Sequence, residues 1–456
     1  MKEVFVIVDA YSSGRLFPDL FKEKYPAAEL IHVQSTPTVM SKMAVFETHK
    51  YKENIIFNNN LDQILDKLSK YKVVAVLAGQ EPGVELADLL SERLGLASSN
   101  GTQMSAARRD KYAMIKAVAD AGLAAPKFIK SKELSEILDW VQNNTTYPVV
   151  LKVLRSASTD GVFICAHQQE LERAFKECIN HRTIMEEINT EVLVESFLKG
   201  SEYVVDAVSY AGEHYVTDVW IYQKKYIPGH GNIYDKEMLL AVDLPEVQEL
   251  IKYNAKMLDA LKIDYGPSHA EIMLTPDQGP VLVEVGARIN GVVHPKLHNE
   301  CLGHNQVQLT VDCYANREAF QRGVSQLPYT LKKHAMIVNL INESCGKIES
   351  IDNTVYESMK ALPSVVDIII KVTPGQMLSP TRTLIDSPLR FFMAHESETQ
   401  LQQDYHAIQT LKGRLFRLIP SSTLVGECFG VMAAQKQADS NEKIETPKHN
   451  FGACTI

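Results

Sequence analysis

The sequence predicts an α/β protein: an open parallel-sheet domain at the N-terminus, followed by lobes of α+β character. Three observations carry this. Short β-branched runs alternate with helix-like segments through the first 110 residues, the order produced when helices cross over between parallel strands. Farther along, apolar runs come in pairs joined by polar turns, the spacing of hairpins. The length of 456 residues leaves room for about three domains at roughly 150 residues each.

The first run, residues 4–8, is continuously apolar and of strand length, too short and too closely flanked by acids for a secretory leader. Helix-like segments at 16–24, 61–71 and 82–94 alternate with strand-like runs at 30–33 and 73–78. The turn at 9–15 holds one glycine and lacks the three-glycine dinucleotide fingerprint, which disfavours a nicotinamide cofactor. Residues 109–122 read as a helix closed by Gly122, with an extended start from Ala125. A boundary near residue 110 follows, giving units 1–110, 111–322 and 323–420. Residues 148–152 and 161–165 read as a hairpin with a wide loop at 156–161, and further strands are expected at 192–195, 203–209, 269–274 and 280–285. Residues 323–420 read as mixed α/β. From 421 to 456 the chain turns to Gln, Lys, Asn and Ser, the composition of a mobile tail. No internal repeat is evident.

Composition excludes several classes. With 47 Lys and Arg against 56 Asp and Glu the net charge is −9, and no basic run interrupts it, so neither nucleic acid nor a membrane surface is an expected partner. No apolar stretch reaches the roughly 18 residues of a membrane helix. The 7 cysteines are odd in number, scattered and without a Cys-x-x-Cys pair; they read as free thiols of a reducing compartment, and a cytoplasmic location is expected.

Chemistry concentrates between His269 and Gly291. If the turn falls at 276–279, an antiparallel hairpin sets Glu271 opposite Glu284, with Cβ atoms about 5 Å apart. Two opposed carboxylates need a proton or a hard cation, and oxygen-only donors suit Mg²⁺ carrying phosphates, with Mn²⁺ as an alternative. A one-residue slip would separate the pair, and exposed carboxylates without a ligand are the competing reading. Arg288 follows four residues later, placed to stabilise charge on a transferring phosphoryl group. Upstream, Lys152 ends an apolar strand and precedes the 156–161 loop, whose hydroxyls and N–H groups suit phosphate oxygens. Glu81 sits where a strand gives way to a helix, the usual ligand position of open α/β sheets; a carboxylate answering the helix dipole is the equal alternative. His269 shares a strand face with Glu271 and is a candidate substrate contact or a satisfied structural histidine. Trp220 and Tyr222 alternate on one face, either walling a substrate pocket or simply packing. His294 and His298 have i, i+4 spacing, but Pro295 between them and the missing zincin Glu argue against zinc.

The order of these pieces resembles the ATP-grasp superfamily of carboxylate-amine ligases, over approximately residues 80–400. Position by position, the resemblance implies that Lys111 and Lys152 are the two nucleotide lysines. It makes 156–161, with Ser156, Ser158 and Gly161, the phosphate-covering loop. Glu195, Phe197 and Leu198 would stand beside the adenine and Glu202 at the ribose. Glu271 and Glu284 would hold the metal, and Arg288 would steady the acyl phosphate. One position departs: Gly286 stands where many members carry Asn, which makes Asn290 the candidate replacement for a third metal ligand. Within the superfamily the chain is most similar to the L-amino-acid ligase and dapdiamide-synthetase-like group. That similarity rests on 79–88, on 217–220 with Tyr222 and Lys224, and on 361–364.

What the resemblance implies is an ATP-grasp fold and an ATP-dependent ligase. A carboxylate, an amino acid's in that group, attacks the γ-phosphate to give an acyl phosphate and ADP, and an amine then displaces phosphate to form the amide. Arg288 and Lys152 would serve catalysis, and Glu81, His269, Trp220, Asn290 and Gly291 would meet the small-molecule carboxylate and amine. A homodimer is compatible with this reading. Three rivals stay open: a biotin-dependent carboxylase, although Ser41-Lys42-Met43 lacks the first Met of a biotinylation site; a purine-pathway enzyme, although no extra basic cluster appears; and a non-catalytic ATP-binding regulator.

Overall fold

The structure is a computed structural model and describes residues 2–37, 47–156, 159–227, 231–384 and 386–419. The expected tail at 421–456 lies outside them.

Strands β1 (Glu3–Val8), β2 (Glu29–Gln34), β3 (Glu53–Ile56) and β4 (Lys72–Ala78) form a parallel sheet in the order β3-β2-β1-β4. Their near-continuous apolar runs follow from burial on both faces. Val4, Val6, Val8, Ile31 and Val33 pack with Leu86 and Leu90 in one cluster, while Phe5, Ile7 and Leu77 pack with Phe17 and Phe21 in another. Each such side chain contributes about 1.5–3 kcal/mol of burial.

A second sheet, antiparallel, takes β5 (Phe128–Ser131), β6 (Val149–Val153), β7 (Val162–Cys165) and β8 (Val192–Ser196) in the order β5-β8-β6-β7. Helices Leu134–Asn144 and Gln168–Cys178 pack against it through Ile137, Val141, Leu171 and Phe175.

The rest of the chain supplies β9 (Ser201–Tyr210), β10 (Glu213–Ile227), β11 (Gly231–Leu239), β12 (Gly266–Thr275), β13 (Gly279–Gly286), β14 (His334–Asn339), β15 (Gly346–Ile351), β16 (Val365–Ile370), β17 (Met377–Leu378), β18 (Leu389–His395) and β19 (Phe416–Ile419). Eight of these make one antiparallel sheet, β13-β12-β9-β10-β11-β14-β18-β16, and β15 pairs with β17 and β19 in a small one. The residues after 323 therefore extend the sheet that carries the 269–284 hairpin. Val205, Val219, Ala270 and Ile272 share a core with Val247, Leu250, Met257 and Leu258 of the helix Pro245–Ala260. The opposite face of the sheet carries the polar residues of the site.

Among the described residues, no helix is long and apolar enough to cross a membrane. Cys165, Cys178, Cys301 and Cys313 are buried free thiols as expected. Cys345 is disulfide-bonded, which corrects the reading of all seven as free: spacing along the chain does not reveal which thiols the fold brings together.

Candidate active site

The 269–284 hairpin brings the expected two carboxylates together, although its register at the turn is one residue tighter than expected. Glu271 pairs with Glu284 across β12 and β13, the connection is 276–278, and a bulge follows Glu271. Burial, with Glu202 and Glu284 nearby, pushes the Glu271 carboxyl up to about 7. Lys111, first residue of the helix Lys111–Asp120 that Asp110 caps, donates to Glu284 Oε1 at 2.8 Å and to the Ser156 carbonyl at 3.0 Å. Lys152 is not an exposed strand end: β6 runs one residue past it, and the side chain is 6% exposed. Its ammonium lies 2.7 Å from Glu195 Oε2. Burial pulls the Lys152 pKa down, but Glu195, Glu284 and Glu271 outweigh this and hold it above its ordinary value. Two lysines and three glutamates thus share one cleft.

No three His, Cys, Asp or Glu side chains among the described residues stand close enough to hold a metal unaided. Two opposed carboxylates do fit Mg²⁺, which keeps waters and takes phosphate oxygens to complete its shell. An anion cluster that raises the pKa of one of its own members is the setting in which such a cation is stabilising.

Arg288 and Glu81 meet across the chain. Glu81 is 3% exposed and lies between Arg109 Nη1 at 3.0 Å and Arg288 Nε at 2.9 Å. Burial raises its pKa, yet Arg288 and Arg109 prevail and hold the carboxyl below its usual range. Arg288 Nη1 donates to the Ile289 carbonyl at 3.0 Å, and Nη2 has no bond among the described residues. Glu81, expected as a substrate contact, has both carboxylate oxygens bonded to arginines, Oε1 to Arg109 and Oε2 to Arg288. The same pair explains the departure at Gly286. A Cβ there would lie 2.7 Å from Glu81 Oε2 and 3.1 Å from Arg288 Cζ, so any larger residue displaces the ion pair.

Of the covering loop, Ser156 donates to Asp160 Oδ2 at 2.6 Å. Gly161 adopts φ +67, and a Cβ on it would strike Val153 at 2.5 Å, so glycine is required. Ser158 lies outside the described residues. Phe197 and Leu198, half-buried, join β8 to β9 and so connect the two sheets that flank the cleft. Glu202 accepts from Tyr234 Oη at 2.9 Å and from Lys224.

The remaining expected contacts divide. His269 Nδ1 bonds Asp206 Oδ1 at 2.7 Å, with Nε2 3.9 Å from Glu271. Burial lowers its pKa, but Asp206 more than offsets this. Asn290 spends its side chain inward, donating to Asp206 Oδ2 at 2.7 Å and accepting from the Val292 N–H at 2.8 Å. Its Oδ1 thus carries one hydrogen bond and keeps its second lone pair. Gly291 is exposed, with open space where a Cβ would be. Trp220 is 1% exposed, donates to Asp218 Oδ1 at 2.6 Å and packs on His298, so it belongs to the core and not to a pocket wall. Asp206 and Arg109 escaped the sequence reading. A lone acid within the apolar run 203–209 was the available signal for the first, whereas nothing local marked the second.

The ATP-grasp domain family model matches residues 145–296, the span that holds Lys152, Glu195, Glu271, Glu284 and Arg288. The chain is 31% identical to dapdiamide A synthase of Enterobacter agglomerans over 421 residues, covering 91% of this chain and 97% of that one. This chain belongs to the ATP-grasp carboxylate-amine ligases. A D-alanine--D-alanine ligase of Syntrophotalea carbinolica is 30% identical over 154 residues, 33% of this chain and 46% of its own. Among solved structures, an L-amino acid ligase from Bacillus licheniformis superposes with a TM-score of 0.71 at 18% identity, covering 92% of this chain and 99% of that one. Phosphoribosylglycinamide synthetase from Anaerococcus prevotii gives 0.62 at 13% identity, covering 92% and 100%. At those identities the two structures speak for the fold alone. This ATP-grasp ligase is an enzyme that forms amide bonds at the expense of ATP.

Proposed function

We propose that this ligase joins two amino acids, activating the carboxylate of one as an acyl phosphate and releasing ADP and phosphate when the amine of the other displaces it. The observation that carries the reading is the pairing of Glu271 with Glu284 inside a cleft that also holds Lys111, Lys152 and Arg288. Glu271 and Glu284 would hold Mg²⁺, which supplies charge neutralisation for phosphate oxygens when bound. Lys111 and Lys152 add positive charge along the phosphates, and Glu195 to Glu202 border the nucleotide.

Arg288, fixed at Nε by Glu81, turns Nη2 toward the charge that develops on the transferring group. His269, oriented by Asp206, stands on the substrate side of Glu271. The acyl phosphate needs shielding from water, a role for the loop around Ser156 and Gly161. The similarity to dapdiamide A synthase across nearly the whole of both chains supports an amino-acid-like pair over a purine-pathway or biotin-linked substrate. A phosphate-release screen with MgATP across amino-acid pairs, with mass detection of product, tests this. An amide of two amino acids is expected. ADP release only with bicarbonate and biotin, or none with any pair, would overturn it. A cytoplasmic location and a homodimer fit this reading.

A further inference from the structure

The polar face of the eight-stranded sheet continues well beyond Glu271. Cross-strand pairing runs from Glu271 to Val204 to Trp220, and two residues along β10 Tyr222 stands opposite Glu237. Glu237 is adjacent to Ile337, and Asn339, two residues on, pairs with Arg390. Opposed residues share a face, as do residues two apart on one strand. Tyr222, Glu237, Asn339 and Arg390 therefore lie on the side that bears Glu271 and His269.

Among the described residues, the one hydrogen bond of ordinary length within this row joins Arg390 to Asn339. Glu237 is 2% exposed, and its Oε1 is buried without a hydrogen-bond partner. Asn339, 1% exposed, accepts from Arg390 Nε at 2.8 Å, while its Nδ2 faces Glu237 in at most a long, weak hydrogen bond. Arg390 makes that one bond only: neither Nη has a partner among the described residues, and no guanidinium nitrogen comes within salt-bridge reach of Glu237, although the two charges sense each other. Lys371 stands close enough to Arg390 for the two cations to repel. A buried face with an under-bonded acid, an under-bonded amide and a two-pronged cation held apart is built for a ligand of complementary charge.

We propose that Glu237, Asn339 and Arg390 form the recognition subsite of the amine substrate, which must carry a free carboxylate. The carboxylate seats on the two Nη groups of Arg390, and an N–H of the substrate is accepted by Glu237. Arg390 is five strands from Glu271 in the sheet order, so a carboxylate held there is not the one that meets the metal pair. Glu237, by contrast, is within electrostatic reach of His269, which directs the amino end of the substrate toward the reacting centre. This inference rests on the ligase reading above.

The test compares an amino acid with its carboxamide as the amine substrate, the acyl donor and ATP being saturating. Wild type should prefer the free acid by tenfold or more in kcat/KM. Arg390→Met should abolish that preference with the KM for ATP unchanged, Arg390→Lys should keep part of it, and Glu237→Gln should raise the KM of the amine by tenfold or more. Thermal melting and ATP titration of each variant establish that it is folded, and Arg390→Lys serves if Arg390→Met is not. Amide formation with an acid-to-amide preference that survives in the folded Arg390 variants overturns this inference alone, as does a preference that follows the acyl donor. No amide from wild type with any pair overturns the ligase reading and this inference with it.

Discussion

Lys152→Met separates a structural charge from a functional one. The ammonium lies 2.7 Å from Glu195 Oε2, both side chains are buried, and Glu195 Oε1 has no hydrogen-bond partner. Deleting the cation strands a carboxylate in a poorly solvated site, a loss of about 3–5 kcal/mol. Neutralising the partner as well, in Lys152→Met/Glu195→Gln, removes the stranded charge and should restore most of that stability. Nucleotide binding should not recover. A charge-assisted contact to phosphate contributes about 1.5–3 kcal/mol, so both variants should bind ATP about 10- to 150-fold more weakly. Urea unfolding gives the first quantity and calorimetric ATP titration the second. If the single variant were as stable as wild type, the buried ion pair would be refuted. If the folded double variant bound ATP normally, Lys152 would have no place at the phosphates.

Glu284→Gln keeps the shape but removes one anion from the pair, so Mg²⁺-dependent turnover should fall by on the order of 10²-fold or more; near-normal turnover at ordinary Mg²⁺ would show that the carboxylates hold no metal. Gly286→Asn installs the residue that the ATP-grasp resemblance leads one to expect, yet its Cβ would stand 2.7 Å from Glu81 Oε2. It should therefore lower kcat by displacing Arg288 while the KM for ATP stays level, and an unchanged kcat would dissociate the Glu81–Arg288 pair from catalysis. His298 lies 3.7 Å from Asp218 beneath Trp220; burial lowers its pKa, but Asp218 prevails and raises it. A raised folded pKa means a contribution fully present below the unfolded value near 6.5 and lost as pH rises through the folded one. Stability measured in urea should then fall with pH above about 6.5 in wild type and less so in His298→Gln; parallel profiles would show that the histidine is not charged in the fold.

The parallel strands were legible because burial on both faces leaves unbroken apolar runs such as Val4 to Val8. The hairpin was legible from Pro276 and Gly279, which mark the turn, but the pairing of Glu271 with Glu284 is set by a bulge that spacing did not show, since the register at the turn would carry Glu271 to Val283. Strand β11 was not read, and of the long β10 only the alternation of Trp220 and Tyr222 was. One face of each is the polar floor of the site, and Asp218, Lys224, Asp235 and Glu237 disguise them as loops. Depth was harder than direction. Alternation gave Trp220 and Tyr222 their common face, but the helix Pro295–Leu302 brings His298 over the indole, and that contact has no trace in local spacing. Lys152 was read as a strand end with no partner for the same reason, since Glu195 reaches it only through the pairing of β6 with β8. Glu81 and Arg288 were each singled out, but their partnership, with Arg109 behind it, exists only once the N-terminal sheet docks on the hairpin.

The central claim, activation of a carboxylate by transfer of the γ-phosphoryl group, is tested most directly with ¹⁸O in the carboxylate of the donor amino acid. In the proposed route one carboxylate oxygen attacks the γ-phosphorus and stays on that phosphorus when the amine displaces phosphate. Mass analysis should find one ¹⁸O in the released inorganic phosphate for each amide formed, with ADP as the other product. ¹⁸O appearing in AMP alongside pyrophosphate, or unlabelled phosphate accompanying amide formation, would contradict the account.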